Sequence, residues 1–354
     1  MSPRPRFHEL TVADVTNLCG DAVAITFDVP PELADEFAFR PGQSLTLRRV
    51  VDGVEQRRSY SICAPAGASP RIGVREVPDG AVSTWLVRAV RPGDRVEVQR
   101  PGGTFTPDVE LAAHHVLIVA GSGITPALSI VSSVLANPDS RVTVLYGNRR
   151  TDTVMFADEL ADLKDRALTR VELIHVLSRE PRQPELFSGR LDAAKLRVLL
   201  PSLLTVGAVD QWWLCGPYGM VVDANQVLGE LGVPPDRVHR ELFYVEDVAP
   251  PPAEHAEPEI DALTSEVTVV LDGRRTSLAL PRHDSILNGA QRVRPDLPFA
   301  CKGGVCGTCR ARVVAGEVDL RRNFALTPAE LAAGFVLTCQ SYATLGDVTV
   351  DFDS

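Results

Sequence analysis

The chain runs to 354 residues, 45% hydrophobic and 23% charged, a balance that suits a globular protein with two or three cores. Its net charge of −10 argues against nucleic acid, whose phosphates need a basic face. The N-terminus, MSPRPRFHEL, lacks the apolar core of a signal peptide, and no stretch approaches the roughly 18–20 apolar residues of a membrane span, so a cytoplasmic protein with no membrane or nucleic-acid partner is expected.

Residues 7–108 read as β-rich. Short alternating or apolar segments at 23–29, 44–50, 71–77 and 94–99 are divided by PG, DG and GG, and only 81–90 has a helical pattern. Such spacing predicts a small barrel or sandwich. The pattern changes at His115, where HVLIVAGSGITPALSIVSSVLAN gives a buried strand, a glycine turn and a helix. RVTVLYGNR, a helix at 156–166, VELIHVLSR, a helix at 191–200, QWWLCGPYGM and a helix at 221–231 follow. This alternation predicts a parallel, doubly wound sheet ending near Tyr244. Next, EDVAPPPAEHAEPEID holds six carboxylates and no Lys or Arg between Glu246 and Asp261, the composition of a semi-extended linker. A hairpin around Asp272-Gly273, a helix at 285–291, a cysteine loop and strands at 310–314 and 348–352 complete the chain. The expected domains are 1–110, 111–245 and 264–354, with 246–263 as the linker.

Four of the seven cysteines lie in the last part, in FACKGGVCGTCRARV and at Cys339. Cys301, Cys306 and Cys309 have the spacing C-x4-C-x2-C, with 29 residues before Cys339. That is the spacing for four thiolates around a [2Fe–2S] cluster. Glycines between the ligands allow the positive φ and close approach that bring N–H groups to sulfur. Zinc loops more often pair two C-x2-C knuckles, and a reducing compartment disfavours disulfides.

In the middle part, Gly121, Gly123, Thr125 and Pro126 of GSGITP sit where a helix N-terminus can meet a pyrophosphate. Asn148, Arg149 and Arg150 end the second strand and Ser178-Arg179 the third, where an NAD site often has an acid. Hydroxyl and guanidinium groups suit a 2′-phosphate, so NADPH is expected over NADH, although such arginines also occur as solvated strand ends. Cys215, Gly216 and Pro217 of CGPYGM repeat the turn at the carboxyl edge. In the first part, RSYS (Arg58, Ser59, Tyr60, Ser61) precedes DGAVSTWL (residues 79–86).

Taken in order, RSYS, GAVS, GSGITP, YGNR, SR and CGPYGM resemble the ferredoxin–NADP reductase superfamily, and residues 264–354 resemble a plant-type ferredoxin. The resemblance implies an antiparallel β-barrel flavin domain, an α/β Rossmann-like NADP domain and a β-grasp (α+β) [2Fe–2S] domain. It implies FAD, or FMN as in one branch, with Arg58 on the pyrophosphate, Tyr60 on the isoalloxazine, Ser61 near N5, and Gly80, Ala81, Val82 and Ser83 opening a phosphate-binding helix. Cys215 would lie near the nicotinamide, with Ser61 and Cys215 positioning reactants. Cys301 and Cys306 would hold one iron, and Cys309 and Cys339 the other. A flavin must stand between a two-electron donor and a one-electron cluster, so the expected path is NADPH to FAD to cluster to an external oxygenase. The cluster loop and its following helix are most similar to reductase subunits of phenylacetyl-CoA epoxidases, which feed di-iron subunits. Reductases of 3-ketosteroid 9α-hydroxylase share the domain order, and a redox sensor without turnover is an alternative of another class.

Overall fold

The computed structural model describes residues 6–243, 264–344 and 346–354, so the acidic linker expected at 246–263 lies outside the described residues. The described chain forms two compact units, one of residues 6–243 and one C-terminal.

The first unit begins with β1 (Phe7–Cys19), β2 (Ala22–Asp28), β3 (Ser44–Val51), β4 (Val54–Ser61), β5 (Arg71–Arg75), α1 (Ala81–Arg88) and β6 (Arg95–Gln99). They form an antiparallel sheet in the order β4-β3-β6-β1-β2-β5. A bridge between Ile62 and Ile72 brings its two edges together. The β3–β4 hairpin turns on Asp52 (φ 51°) and Gly53 (φ 77°), the positive-φ pair that DG supplies. Leu10, Ile25, Phe27, Leu45, Leu47 and Ile72 alternate inward and are fully buried.

A second sheet follows: β7 (His114–Ala120), α2 (Ile124–Val134), β8 (Arg141–Asn148), α3 (Ala157–Arg166), β9 (Val171–Leu177), α4 (Ala193–Leu203), β10 (Gln211–Cys215), α5 (Tyr218–Glu230) and β11 (Val238–Glu241). All five strands are parallel, in the order β11-β10-β7-β8-β9. β11 is too short and too polar to be read from sequence, and it supplies an edge next to β10.

The two sheets share one core. Ala24, Cys63 and Phe105 from the antiparallel part pack with Leu117, Val119, Ile124 and Trp213 from the parallel part. Polar ties cross the same boundary. Arg71 donates to Glu159 with both guanidinium nitrogens (2.8 and 2.9 Å), Ser129 Oγ donates to the Ala64 carbonyl (2.6 Å), and the Ala66 N–H donates to Ser133 Oγ (3.0 Å). A side chain at Gly73 would collide with Thr125 and Phe156, so the second sheet's loops lie directly on β5.

The C-terminal unit comprises β12 (Thr264–Leu271), β13 (Arg274–Pro281), α6 (Ile286–Ala290), β14 (Arg310–Ala315), β15 (Val318–Leu320), α7 (Pro328–Ala332), β16 (Phe335–Leu337), β17 (Ser341–Ala343) and β18 (Val348–Asp351). Its main sheet runs β13-β12-β18-β14-β16, with β12 and β18 parallel, the β-grasp arrangement. Val267, Leu280, Ile286, Leu287, Leu337 and Val350 form its core under α6. Ser285 caps α6, and Thr327 with Glu330 forms a capping box on α7, which is why TPAE starts a helix.

Candidate functional site

β4 places Arg58 and Tyr60 on one face and Ser59 and Ser61 on the other. Arg58 is exposed, and its Nη1 donates to the Arg57 carbonyl at 2.7 Å. Tyr60 lies deeper, and burial pushes its phenol above the usual range. Ser59 does not join them, because its hydroxyl pairs with Thr46 Oγ1 at 3.0 Å across the hairpin. Gly80 caps α1 with no side-chain hydrogen bond, so the first N–H groups of that eight-residue helix lack a side-chain cap. Ala81 and Val82 form that first turn. Ser83 is spent locally, donating to the Gly80 carbonyl and accepting the Val77 N–H (3.1 Å), which holds the turn in shape.

Ser61 is buried, and its hydroxyl donates to Glu241 Oε2 at 3.3 Å, across 180 residues of chain. Parallel pairing places Glu241 beside Cys215 in register. Burial raises the Cys215 thiol well above its usual range, with the neighbouring Glu241 charge adding to it. Burial also pushes the Glu241 carboxyl up to about 8, against the opposing pull of the Ser61 hydroxyl. Ser61 and Cys215 are therefore joined through a carboxyl that sequence reasoning missed. Its only signal was an acid at the carboxyl end of a strand following CGPYGM.

The turn after β7 is tight. A Cβ at Gly123 would run into the Cys215 carbonyl, and one at Gly216 would touch Met220 Cε (2.7 Å) and the Ala120 nitrogen (3.1 Å). These glycines form a cradle that side chains would fill. Thr125 Oγ1 donates to the Ser122 carbonyl at 2.8 Å, Pro126 is buried in the first turn of α2, and Pro217 caps α5. Arg75 was not singled out by sequence. It pairs with Asp21 (3.2 Å), donates to the Thr153 carbonyl (2.5 Å), and lies where a side chain at Gly121 would meet its Nη1 (3.3 Å). A guanidinium from the antiparallel sheet thus borders the glycine turn of the parallel one.

At the ends of β8 and β9 the backbone joins Ser178 to Asn148 (2.9 Å) and Arg179 to Arg149 (2.8 Å). Asn148 is 7% exposed with its amide beside the Tyr146 hydroxyl, but at no contact of full hydrogen-bond geometry, which leaves capacity for a bound polar group. Arg149 and Arg179 are exposed at the same edge, while Arg150 is drawn to Asp152 (3.3 Å).

In the C-terminal unit the thiols of Cys301 and Cys306 contact each other, and so do those of Cys309 and Cys339. The Gly303 N–H donates to Cys301 Sγ at 3.3 Å. The Cys306 thiol and the amides of residues 303, 305 and 306 all favour the Cys301 thiolate, and such N–H groups around sulfur suit a metal thiolate. Lys302, Gly304 and Gly307 take positive φ (53°, 81° and 67°) so that the loop can curl around the sulfurs. Among the described residues no three His, Cys, Asp or Glu side chains converge as ligands of one ion. Two thiol pairs fit a two-iron cluster. No helix of the described chain is long and apolar enough to cross a membrane.

Comparison with known proteins agrees with this division. Residues 9–106 match the oxidoreductase FAD-binding domain, 117–226 the oxidoreductase NAD-binding domain, and 269–344 the 2Fe-2S iron-sulfur cluster binding domain. The chain is 41% identical to the E subunit of the 1,2-phenylacetyl-CoA epoxidase of Escherichia coli K12, over 98% of both chains. It is 34% identical to the ferredoxin reductase component of the 3-ketosteroid-9-alpha-monooxygenase of Rhodococcus rhodochrous, over 97% of this chain and 96% of that one. Phthalate dioxygenase reductase shares the fold along 98% of both chains, with a TM-score of 0.61 and 23% identity.

Proposed function

The chain belongs to the ferredoxin reductase-type flavoproteins, oxygenase reductases built from FAD-binding, NAD-binding and 2Fe-2S domains, and from that premise we propose that it draws electrons from NADPH and serves a di-iron phenylacetyl-CoA epoxidase. Full-length likeness to a component of such an epoxidase carries the choice of acceptor. Bound at these sites, nicotinamide, flavin and cluster would supply hydride, two-to-one electron division and single-electron transfer respectively.

The protein's own residues bind and orient. Arg58 and the amides of Ala81, Val82 and Ser83 would hold the flavin pyrophosphate, Gly80 shaping that turn with its own N–H on the Val77 carbonyl (2.9 Å), and Tyr60 would pack against the ring. Ser61, Glu241 and Cys215 set the place where flavin and nicotinamide meet, with Ser61 holding the Glu241 carboxyl at 3.3 Å. Gly121, Gly123, Thr125, Pro126 and Arg75 receive the nucleotide pyrophosphate, and Gly216 and Pro217 border its nicotinamide end. Asn148, Arg149, Ser178 and Arg179 take the ribose 2′-phosphate. Cys301, Cys306, Cys309 and Cys339 are the cluster ligands.

The reading is tested by mixing the purified protein with the di-iron epoxidase proteins, phenylacetyl-CoA and either nicotinamide cofactor. NADPH should support epoxide formation with the higher kcat/KM. Absence of coupled epoxide removes this acceptor, and a preference for NADH removes the assignment to Arg149 and Arg179.

A further inference from the structure

The cluster loop is wrapped by neighbouring segments that hydrogen bonds tie to it. Lys302 Nζ donates to Asn288 Oδ1 (3.0 Å) and Gln291 Oε1 (2.7 Å), and the Lys302 carbonyl accepts from Gln340 Nε2 (2.8 Å). The Phe324 N–H donates to the Gly304 carbonyl (3.0 Å), and the Arg321 N–H to the Gln340 carbonyl (3.0 Å). These segments, residues 286–294, 299–312, 321–326 and 337–343, contain Lys302 and six arginines, of which Arg294 is buried, and no Asp or Glu of their own. Carboxylates from flanking positions pair with four of these arginines, Asp284 with Arg292 (2.7 Å), Asp296 with Arg294 (2.8 Å), Asp319 with Arg321 (3.2 Å) and Glu330 with Arg310 (2.8 Å). Cys301 and Cys306 are part-exposed, whereas Cys309 and Cys339 are buried at 3% and 4% exposure. Lys302 therefore sits on the solvent side of the four thiols.

Residues 263–354 hold ten of the 36 Lys+Arg and ten of the 46 Asp+Glu, so that part is neutral; of the net −10 on residues 1–262, six charges belong to 246–261 and four to residues 1–245. We propose that the cluster rim, centred on Lys302, Arg321 and Arg322, is a basic docking surface, and that the electron-accepting protein presents a carboxylate-rich face to it. This rests on the reading of the chain as a reductase whose cluster is the exit. Under that reading an acidic acceptor is drawn to the rim by charge complementarity, where electrons leave through the cluster.

Lys302 also makes the surface chemically addressable, because Lys164, Lys195 and Lys302 are the three lysines of the chain. The test uses the full-length holoprotein with NADPH and two haem probes, acidic cytochrome b5 and basic cytochrome c. Cytochrome b5 reduction should fall roughly tenfold as salt rises from about 20 to about 500 mM, while cytochrome c reduction should not fall. Replacing Lys302→Gln together with Arg322→Gln should slow cytochrome b5 reduction at low salt by roughly threefold or more, with flavin bleaching by NADPH unchanged. A carbodiimide, which joins amines to carboxylates, should link cytochrome b5 at Lys302. Cytochrome b5 reduction that is insensitive to salt, or cross-links confined to Lys164 or Lys195, would overturn the docking surface. A Cys306→Ser variant separates this from failure of the reductase reading, because undiminished cytochrome b5 reduction in it would mean that the cluster is not the exit.

Discussion

Replacing Glu241→Gln should flatten the alkaline fall in stability of the flavin- and nucleotide-binding unit. Burial raises this carboxyl from 4.5 to about 8, so the folded protein holds a proton that the unfolded chain releases at about 4.5. The associated stability is full below that pH and is lost as pH rises through the folded value of about 8. Between pH 6 and 9 most of two pH units are spent below the folded value. At about 1.4 kcal/mol per unit this costs roughly 2–3 kcal/mol. A unit of this size loses about 2–4 °C in Tm per kcal/mol, so the natural protein should drop roughly 5–10 °C further than the Gln variant over that range. Trp85, Trp212 and Trp213, the three tryptophans of the chain, all lie in this unit, so fluorescence-detected melting of the full-length protein reports it selectively. Parallel pH curves for the two proteins would show that Glu241 ionises normally and would refute the burial argument.

Removing both guanidinium groups by Arg149→Ala and Arg179→Ala should raise KM for NADPH roughly 10- to 100-fold, the loss of two exposed charge-assisted contacts, and leave KM for NADH nearly unchanged; steady-state kinetics with both cofactors decides it. Gly123→Ala directs a methyl group at the Cys215 carbonyl, and should weaken nucleotide binding at least about tenfold, measured by difference-spectral titration with NADP⁺. Cys306→Ser should lower bound iron and acid-labile sulfide to well under half while NADPH still bleaches the flavin, because the ligand set lies in a separate compact unit.

Where local pattern carried the information, the sequence was legible. Alternating strands and helices declared the parallel sheet, the DG pair placed the hairpin at Asp272, and cysteine spacing marked the loop. Residues whose role comes from distant pairing were not legible. Glu241 carries no signal in sequence until β11 pairs with β10 and sets it beside Cys215, with Ser61 reaching it from β4. Arg75 is one of many arginines until β5 packs under the glycine turn. β1 escaped notice because many of its side chains are polar and half-buried, which blunts the period-2 pattern.

The division into compact units follows from the two kinds of transfer the protein supports. Hydride passes only between rings in contact and alignment, which demands that the flavin and nucleotide sites be held as one body. The shared core of Ala24, Cys63, Phe105, Leu117 and Trp213 does this, helped by the Arg71–Glu159 pair and by Ser61 meeting Glu241. Glycine at position 73 belongs to the same requirement, since a larger residue would wedge the two sheets apart. Single electrons need proximity but not bond-making alignment, so the C-terminal unit can have its own core and its own loop order. Selection for precise packing therefore falls on the boundary within residues 6–243. In the C-terminal unit it falls on the thiol pairs and the charge around them.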